Sequence, residues 1–205
     1  LRITGNKLLT SLRLIENNIP IPKTYFSFKG DSTLKALEEN LGYPAIIKPI
    51  IGSWGRLIAK LDSHNSAISN FELRESMGNI LQKQYYLQEY IKKDDQNSPT
   101  DIRVFVVGDE CVAAMGRFKP DDDFRSNIAI GGTASEIEIT KVLRELSLKA
   151  TKAVKGEVVG VDLMEKNGEL YVIEINGTPQ FRGVATSSKV NVAKKIVDYL
   201  IEKYN

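Results

Sequence analysis

The hydrophobic positions of this chain change period along its length, and each change predicts an element. Leu8, Leu9, Leu12 and Ile15 recur at helical spacing within residues 4–16, and Asn17, Asn18, Pro20 and Pro22 end that run. Residues 24–28 read as a short strand, and Asp31 with Ser32 caps a predicted helix reaching about Leu41. Gly42-Tyr43-Pro44 then turns the chain into a strand over 45–49, and a second strand over 57–61 follows a glycine-bearing loop. Residues 63–80 predict a helix with Ile68, Phe71 and Leu73 inward, and 85–91 a strand. Residues 92–100 are polar and read as a surface linker. The runs 101–107 and 110–115 form a hairpin about Gly108-Asp109, and 118–132 is irregular. A helix over 140–155 turns Val142, Leu143, Leu146, Ala150 and Ala153 inward, and an amphipathic helix over 188–204 closes the chain.

Between those two helices, aliphatic and β-branched runs flank Asn167-Gly168, the strongest short-range hairpin signal. Asp162, Glu174 and Asn176 interrupt these runs. A carboxylate on a mostly apolar strand is costly to bury unless a cation meets it, and a set of oxygen ligands suits Mg²⁺. Register decides whether the three meet. A loop of Asn167 and Gly168 alone pairs Asp162 with Ile173 and sends Asp162 and Glu174 to opposite faces. A three-residue loop, Asn167 to Glu169, or a bulge with the same effect, sets Asp162 opposite Glu174 and Gly160 opposite Asn176. The odd-length loop, or the equivalent bulge, is the expectation, because only that register gathers the three side chains; solvated acids on an ordinary hairpin are the alternative.

Composition narrows the class. A chain of 205 residues forms one or two domains, and 42% hydrophobic with 26% charged residues is ordinary for a soluble globular protein. A net charge of +2 gives no argument for nucleic acid or an anionic membrane as partner. No apolar run approaches the length of a transmembrane helix, and no signal-peptide pattern is present. The single cysteine, Cys111, excludes an internal disulfide framework and fits a reducing, cytoplasmic compartment. With His64 the only histidine, zinc chemistry and a Ser-His-Asp triad have almost no material.

Other residues suggest anion binding. Lys48 ends a strand, and Gly52-Ser53-Trp54-Gly55-Arg56 can lay backbone N–H groups on a phosphate without matching the Walker pattern. Arg103 stands at a strand start beside Asp101, where its planar guanidinium suits a phosphate or carboxylate, or a structural ion pair. Asp121, Asp122 and Asp123 lack the ligand spacing of an EF-hand and read as a solvated turn.

The order of these signals resembles the RimK-type ATP-grasp ligases, closest to the LysX/ArgX branch. Gly5-Asn6-Lys7-Leu8-Leu9-Thr10, Lys48-Pro49 with Gly52 to Leu57, Gln88 to Ile91, Asp101 to Asp109, Phe124-Arg125-Ser126-Asn127 and Glu174-Ile175-Asn176 carry the likeness. It implies an α+β ATP-grasp fold with two antiparallel sheets enclosing the nucleotide. Residues 1–23 form a linking helix packed on the catalytic half, 24–90 a lid, and 91–205 the catalytic, metal-binding half. The implied activity is ATP-dependent carboxylate–amine ligation through an acyl phosphate. The acceptor is a C-terminal glutamate, on a small acidic carrier protein, and the amine that of glutamate or α-aminoadipate, in lysine or arginine biosynthesis.

Site roles follow from the same resemblance. ATP would lie against Lys7, Lys48, Gly52, Ser53, Trp54, Gly55, Arg56, Gln88, Glu89, Tyr90, Ile91, Asp101 and Ser126. Arg125 and Asn127 would reach the transferring phosphoryl group. Arg103, Arg117 and Arg182 would take substrate carboxylates. Asp162, Glu174 and Asn176 would hold two Mg²⁺ ions, or Mn²⁺ in their place. The run 127–132 lacks the arginine of the aminoadipate branch, so glutamate ligation to a coenzyme or ribosomal protein is one alternative; nucleotide binding without catalysis is another, favoured if the short chain is complete. The chain starts at Leu1 rather than Met and reads as a piece without the family's N-terminal domain. The family also suggests a homo-oligomer.

Overall fold

Nine strands divide between two antiparallel sheets in the computed structural model, which describes residues 2–93, 95, 97–128, 131–188 and 190–204. The elements run α1 (Lys7–Glu16), β1 (Thr24–Ser27), α2 (Gly30–Ala36), β2 (Ala45–Lys48), β3 (Ala59–Leu61), α3 (His64–Met77), β4 (Tyr85–Glu89), β5 (Asp101–Val107) and β6 (Glu110–Phe118). They continue with β7 (Thr133–Glu136), α4 (Lys141–Ala153), β8 (Val158–Lys166), β9 (Glu169–Asn176), α5 (Arg182–Ser187) and α6 (Val192–Tyr204). The smaller sheet has the order β1-β4-β2-β3 and the larger β7-β6-β5-β8-β9.

Strand alternation explains which side chains reach the space between the sheets. In the smaller sheet Ala45, Ile47, Tyr85 and Leu87 pack with Leu37, Ala67 and Phe71 in one core. The intervening residues Ile46, Lys48 and Gln88 therefore face the other way, into a cleft. The larger sheet is covered on both faces. Val104, Val106, Val161 and Leu163 pack with Leu14, Leu143 and Ala150 from α1 and α4. Phe105 and Val107 pack with Val184 and Val192 beside α5 and α6. Such double coverage accounts for the unbroken apolar run of β5. Asp101 and Arg103 share the face of Phe105 and Val107, on the stretch where the site lies.

Several elements depart from the sequence expectation. Asn6 caps α1 by accepting the Leu9 N–H at 3.1 Å, so the helix starts at Lys7. Its buried face is Thr10, Ser11 and Leu14, while Leu9, Leu12 and Ile15 are exposed. Helix α2 starts at Gly30; Lys29 occupies its cap position, and neither Asp31 nor Ser32 caps it. In α3 Leu73 is exposed and Arg74 turns inward, its guanidinium donating to Asn70 Oδ1 and the Leu57 carbonyl. Val142 is exposed in α4, where Leu143, Ser147, Ala150 and Thr151 form the buried stripe. β7 and α5 were not expected: Thr133–Glu136 is a polar edge strand held by backbone pairing to β6.

The β8–β9 hairpin corrects the loop length and keeps the register. Lys166 pairs with Glu169 across a two-residue turn, and Asn167 (φ 53°) and Gly168 (φ 81°) both lie in the left-handed region that a primed turn needs. Pairing stays regular to Leu163 opposite Val172 and then shifts, so that Asp162 faces Glu174 and Gly160 faces Asn176. Ile173 is the extra residue of a β-bulge. The bulge, not an odd-length loop, brings the carboxylates together.

Candidate active site

Two adjoining clefts lie between the sheets. The inner one, about 130 Å³, is lined by Ile46, Lys48, Gln88 to Ile91, Asp101, Arg117, Phe124 to Asn127, Asp162, Met164, Ile173 and Glu174. The outer one, about 1070 Å³, is lined by Ser53, Trp54, Arg103, Ile128, Asn176 and the stretch Thr178 to Gly183, and shares Arg117, Asn127 and Glu174 with the inner cleft.

At the base of the clefts is a chain of buried charge. Arg103 donates to both oxygens of Asp162, through Nε to Oδ1 and Nη2 to Oδ2, each at 2.6 Å. Arg117 Nε donates to Asp101 Oδ1 at 2.5 Å, and its Nη2 lies 3.0 Å from Asp162 Oδ2. The Ser126 hydroxyl donates to the other oxygen of Asp101. Burial alone would raise the Asp162 carboxyl, but Arg103 and Arg117 bring it down to about 2. Asp101 moves upward, because burial and the charge of Asp162 outweigh its Arg117 partner. Arg117 is itself buried and held as a cation by the two carboxylates. Thus the structure gives Arg117 two protein carboxylates as partners, not an open position toward a substrate.

Glu174 and Asn176 complete the set on the same face. Lys7 Nζ stands 2.9 Å from Glu174 Oε1 and donates to the Gly52 carbonyl at 2.9 Å. Asn176 Nδ2 donates to Asp162 Oδ2 at 3.3 Å. Among the described residues no three His, Cys, Asp or Glu side chains gather in a metal-binding cluster. The set here is two carboxylates and an amide, short of a full shell. That composition fits Mg²⁺, which usually keeps waters and takes remaining ligands from phosphate oxygens. An ammonium beside Glu174 marks the place as one that accepts positive charge.

Lys48 donates to Gln88 Oε1 at 2.5 Å. Burial lowers its ammonium to about 8; Lys7 acts in the same direction, and Glu174, Asp162 and Asp101 oppose it. The loop between β2 and β3 is held down at two points. Gly52 is bonded to Lys7, and Arg125 Nη1 donates to the Gly55 carbonyl at 2.9 Å. Gly55 has φ 69°, and a Cβ there would lie 2.5 Å from Asn127 Oδ1, so a side chain at this position would be strained and would press on the Asn127 amide. Arg125 is paired with Asp123 at 2.6 Å.

Not every predicted residue joins the clefts. Arg56 is exposed and lines neither of them. Ser53, Trp54 and Arg182 line only the outer cleft, and His64 pairs with Glu38 on the surface at 2.6 Å. Conversely, Ile46, Lys119 and Met164 line the inner cleft unforeseen. Each lies two residues from a predicted one, Lys48, Arg117 and Asp162, so strand alternation alone could have found them. The Lys166–Glu89 ion pair, which ties the hairpin to the end of β4, had no such signal.

With this geometry in hand, comparison with known proteins is decisive: a model of the RimK-like ATP-grasp domain matches residues 4–200. The chain belongs to the RimK-like ATP-grasp family. It is 38% identical over 206 residues to the glutamate–LysW ligase ArgX of Sulfurisphaera tokodaii, covering 100% of this chain and 71% of that protein. It is 35% identical over 199 residues to the α-aminoadipate–LysW ligase LysX of Saccharolobus solfataricus, covering 97% of this chain and 69% of that protein. Among solved structures, the ATP-grasp ligase PsnB with its minimal precursor superposes with a TM-score of 0.74 at 21% identity, covering 100% of this chain and 61% of PsnB. The D-alanine–D-alanine ligase of Bacillus anthracis complexed with ATP gives 0.69 at 20% identity, covering 98% of this chain and 65% of that one. At such identities these two structures establish the ATP-grasp fold alone. No helix among the described residues is long and apolar enough to cross a membrane.

Proposed function

We propose that this RimK-like chain is the nucleotide-binding and catalytic part of an ATP-dependent carboxylate–amine ligase. Its acceptor is a C-terminal glutamate, on a small carrier protein, and its amine substrate is glutamate or α-aminoadipate. The observation that carries the reading is Asp162 facing Glu174 across β8 and β9, beneath a cleft lined by Lys48, Arg117 and Arg125, with Lys7 paired to Glu174 beside it. The names of the ArgX and LysX relatives support the substrate class.

The chemistry brings like charges together. A triphosphate meets a carboxylate, and each uncompensated pair about 4 Å apart costs on the order of 4 kcal/mol at an effective dielectric near 20. Lys48 and Lys7 offset that charge, and Arg125 and Asn127 stand where the phosphoryl group would be transferred. Ile46, Met164 and Ile173 supply apolar surface for an adenine, with the backbone of Glu89 to Ile91 at its edge. Transfer of the γ-phosphoryl to the carboxylate releases ADP and gives an acyl phosphate; the amine attacks its carbonyl carbon, the C–O bond to phosphate breaks, and inorganic phosphate and a proton leave as the amide forms. Positioning and charge neutralisation dominate such a reaction. Two Mg²⁺ ions, or Mn²⁺, would be held by Asp162, Glu174 and Asn176 and would supply further neutralisation of the phosphates. The inner cleft, about 130 Å³, opens beside Asn127 and Glu174 into the outer one of about 1070 Å³, so a nucleotide with its base in the inner cleft would run its phosphates toward the outer one.

Intact protein offered MgATP, glutamate or α-aminoadipate, and acceptors ending in glutamate tests this reading by mass spectrometry. The expected result is acceptor heavier by one amino-acid residue together with ADP. Nucleotide binding with no product on any acceptor, under conditions where ArgX acts, would instead select a binding module without catalysis.

A further inference from the structure

The acceptor capacity of Asp162 is already taken up by protein donors. Oδ2 is approached by Arg103 Nη2 at 2.6 Å, Arg117 Nη2 at 3.0 Å and Asn176 Nδ2 at 3.3 Å, and Oδ1 by Arg103 Nε at 2.6 Å. A carboxylate offers about four acceptor sites, so a cation at Asp162 finds little room beside the fork of Arg103. The guanidinium and the cation would also repel at that range.

The two arginines are not equally fixed. Arg117 is held a second time by Asp101, and its side chain is 6% exposed. Arg103 bonds only to Asp162 among the described residues, and its side chain is 14% exposed. It lines the outer cleft, running over Gly160, where a Cβ would stand 3.5 Å from Arg103 Cδ. The only carboxylate among the described residues lining that cleft is Glu174, itself in the proposed metal set.

We infer that Arg103 is a carboxylate-binding arginine masked by Asp162, released into the outer cleft when a divalent cation takes Asp162. This inference rests on the reading of Asp162, Glu174 and Asn176 as metal ligands. A released guanidinium presents a planar fork suited to a substrate carboxylate. Metal loading then favours carboxylate binding, and by reciprocity the carboxylate tightens the metal. The order of assembly is built into one ion pair.

The test uses the nucleotide-free 205-residue chain with Mn²⁺, followed by the paramagnetic signal of the free ion. Phenylglyoxal labelling of arginines, mapped by peptide mass spectrometry, reports exposure, and N-acetylglutamate serves as the carboxylate probe. Saturating Mn²⁺ is expected to raise labelling of Arg103 several-fold while Arg117 stays protected, and N-acetylglutamate is expected to suppress that rise. Arg103→Met should bind Mn²⁺ about tenfold more tightly than wild type, with Arg103→Lys between them. An arginine that merely orients Asp162 predicts the reverse. Weaker Mn²⁺ binding by the variants, or Arg103 labelling unchanged while Mn²⁺ is bound in a Glu174-dependent manner, would overturn the masking alone. Where the ion needs phosphate oxygens to complete its shell, the same readouts are taken with a non-hydrolysable ATP analogue present; protein-bound Mn²⁺ that survives Glu174→Gln, or none even with the analogue, would overturn the metal assignment and this inference with it.

Discussion

Asp162 stands directly opposite Glu174 because β9 carries one residue more than β8 between the turn and that pair. Ile173 is the extra residue, and it lines the inner cleft beside the two carboxylates. The bulge therefore sets the acidic pair and also places an apolar wall next to it. Bulges commonly re-aim side chains beside active sites.

That register predicts a sharp positional dependence. Ile175, next along β9, is 1% exposed in the core shared with Leu14 and Val161. Exchanging the two residues, Glu174→Ile with Ile175→Glu, buries an unpaired acid and should lower unfolding free energy by about 3 kcal/mol or more. Glu174→Gln, at a partly exposed position, should cost under about 0.5 kcal/mol. Urea denaturation measures both; equal stabilities would contradict the register.

Arg117 should behave as a keystone of buried charge. Arg117→Met leaves Asp101 and Asp162 without a shared cation and is expected to destabilise by about 3–5 kcal/mol. Adding Asp101→Asn removes one of the stranded charges and should recover part of the loss. Thermal unfolding of the single and double variants checks the expectation, and a loss under about 1 kcal/mol for Arg117→Met would contradict it.

Lys48 gives the nucleotide site a pH dependence. Its ammonium falls to about 8 from the ordinary 10.5. The unfolded chain therefore holds more protons between those values, and this group's contribution to stability rises with pH across that window. Nucleotide affinity runs the other way. Binding is full below pH 8 and weakens above it, approaching about tenfold per pH unit, because the phosphates meet a neutral amine. Lys48→Arg should remove the inflection in a calorimetric titration across pH 7–9.

The loop latch can be read through Trp54, the only tryptophan of the chain. Gly55→Ala places a methyl 2.5 Å from Asn127 Oδ1 at a φ of 69°, so either the Asn127 amide turns away or the loop shifts, and the strained φ favours a shift of the loop. Trp54, half-exposed on that loop, should change its emission maximum in the variant without nucleotide. Apparent nucleotide affinity should fall about tenfold if the loop also covers the phosphates. Unchanged fluorescence would mean that the Gly55 contact does not hold the loop.

Much of this was legible in the sequence, and the failures have physical causes. Asn167-Gly168 identified the hairpin because a primed turn demands positive φ at both positions. A bulge is one of the two ways the sequence offers to reach this register, but its position is not legible, since Ile173 sits in the apolar run Leu170 to Ile173 and nothing there marks a residue as unpaired. In α1 the apolar stripe pointed to Leu9, Leu12 and Ile15, yet the buried face pairs Ser11 with Tyr86 at 2.7 Å and bonds Thr10 to the Ile3 carbonyl. Polar residues satisfied by specific partners took the inward positions, which periodicity cannot foresee. β7 escapes the pattern for the converse reason: of Thr133–Glu136 only Ala134 is partly buried against the core, and the strand is held by its backbone pairing to β6. Arg103 and Arg117 were expected to meet substrate, and only the antiparallel pairing of β5 with β8 and β6 reveals that each first meets an aspartate.

The most direct test is an anomalous-difference map from crystals grown with Mn²⁺ and a non-hydrolysable ATP analogue. The account predicts peaks bounded by Asp162, Glu174 and Asn176, with the triphosphate running from them toward Lys48 and Lys7. Manganese and nucleotide found together elsewhere on the chain would contradict it.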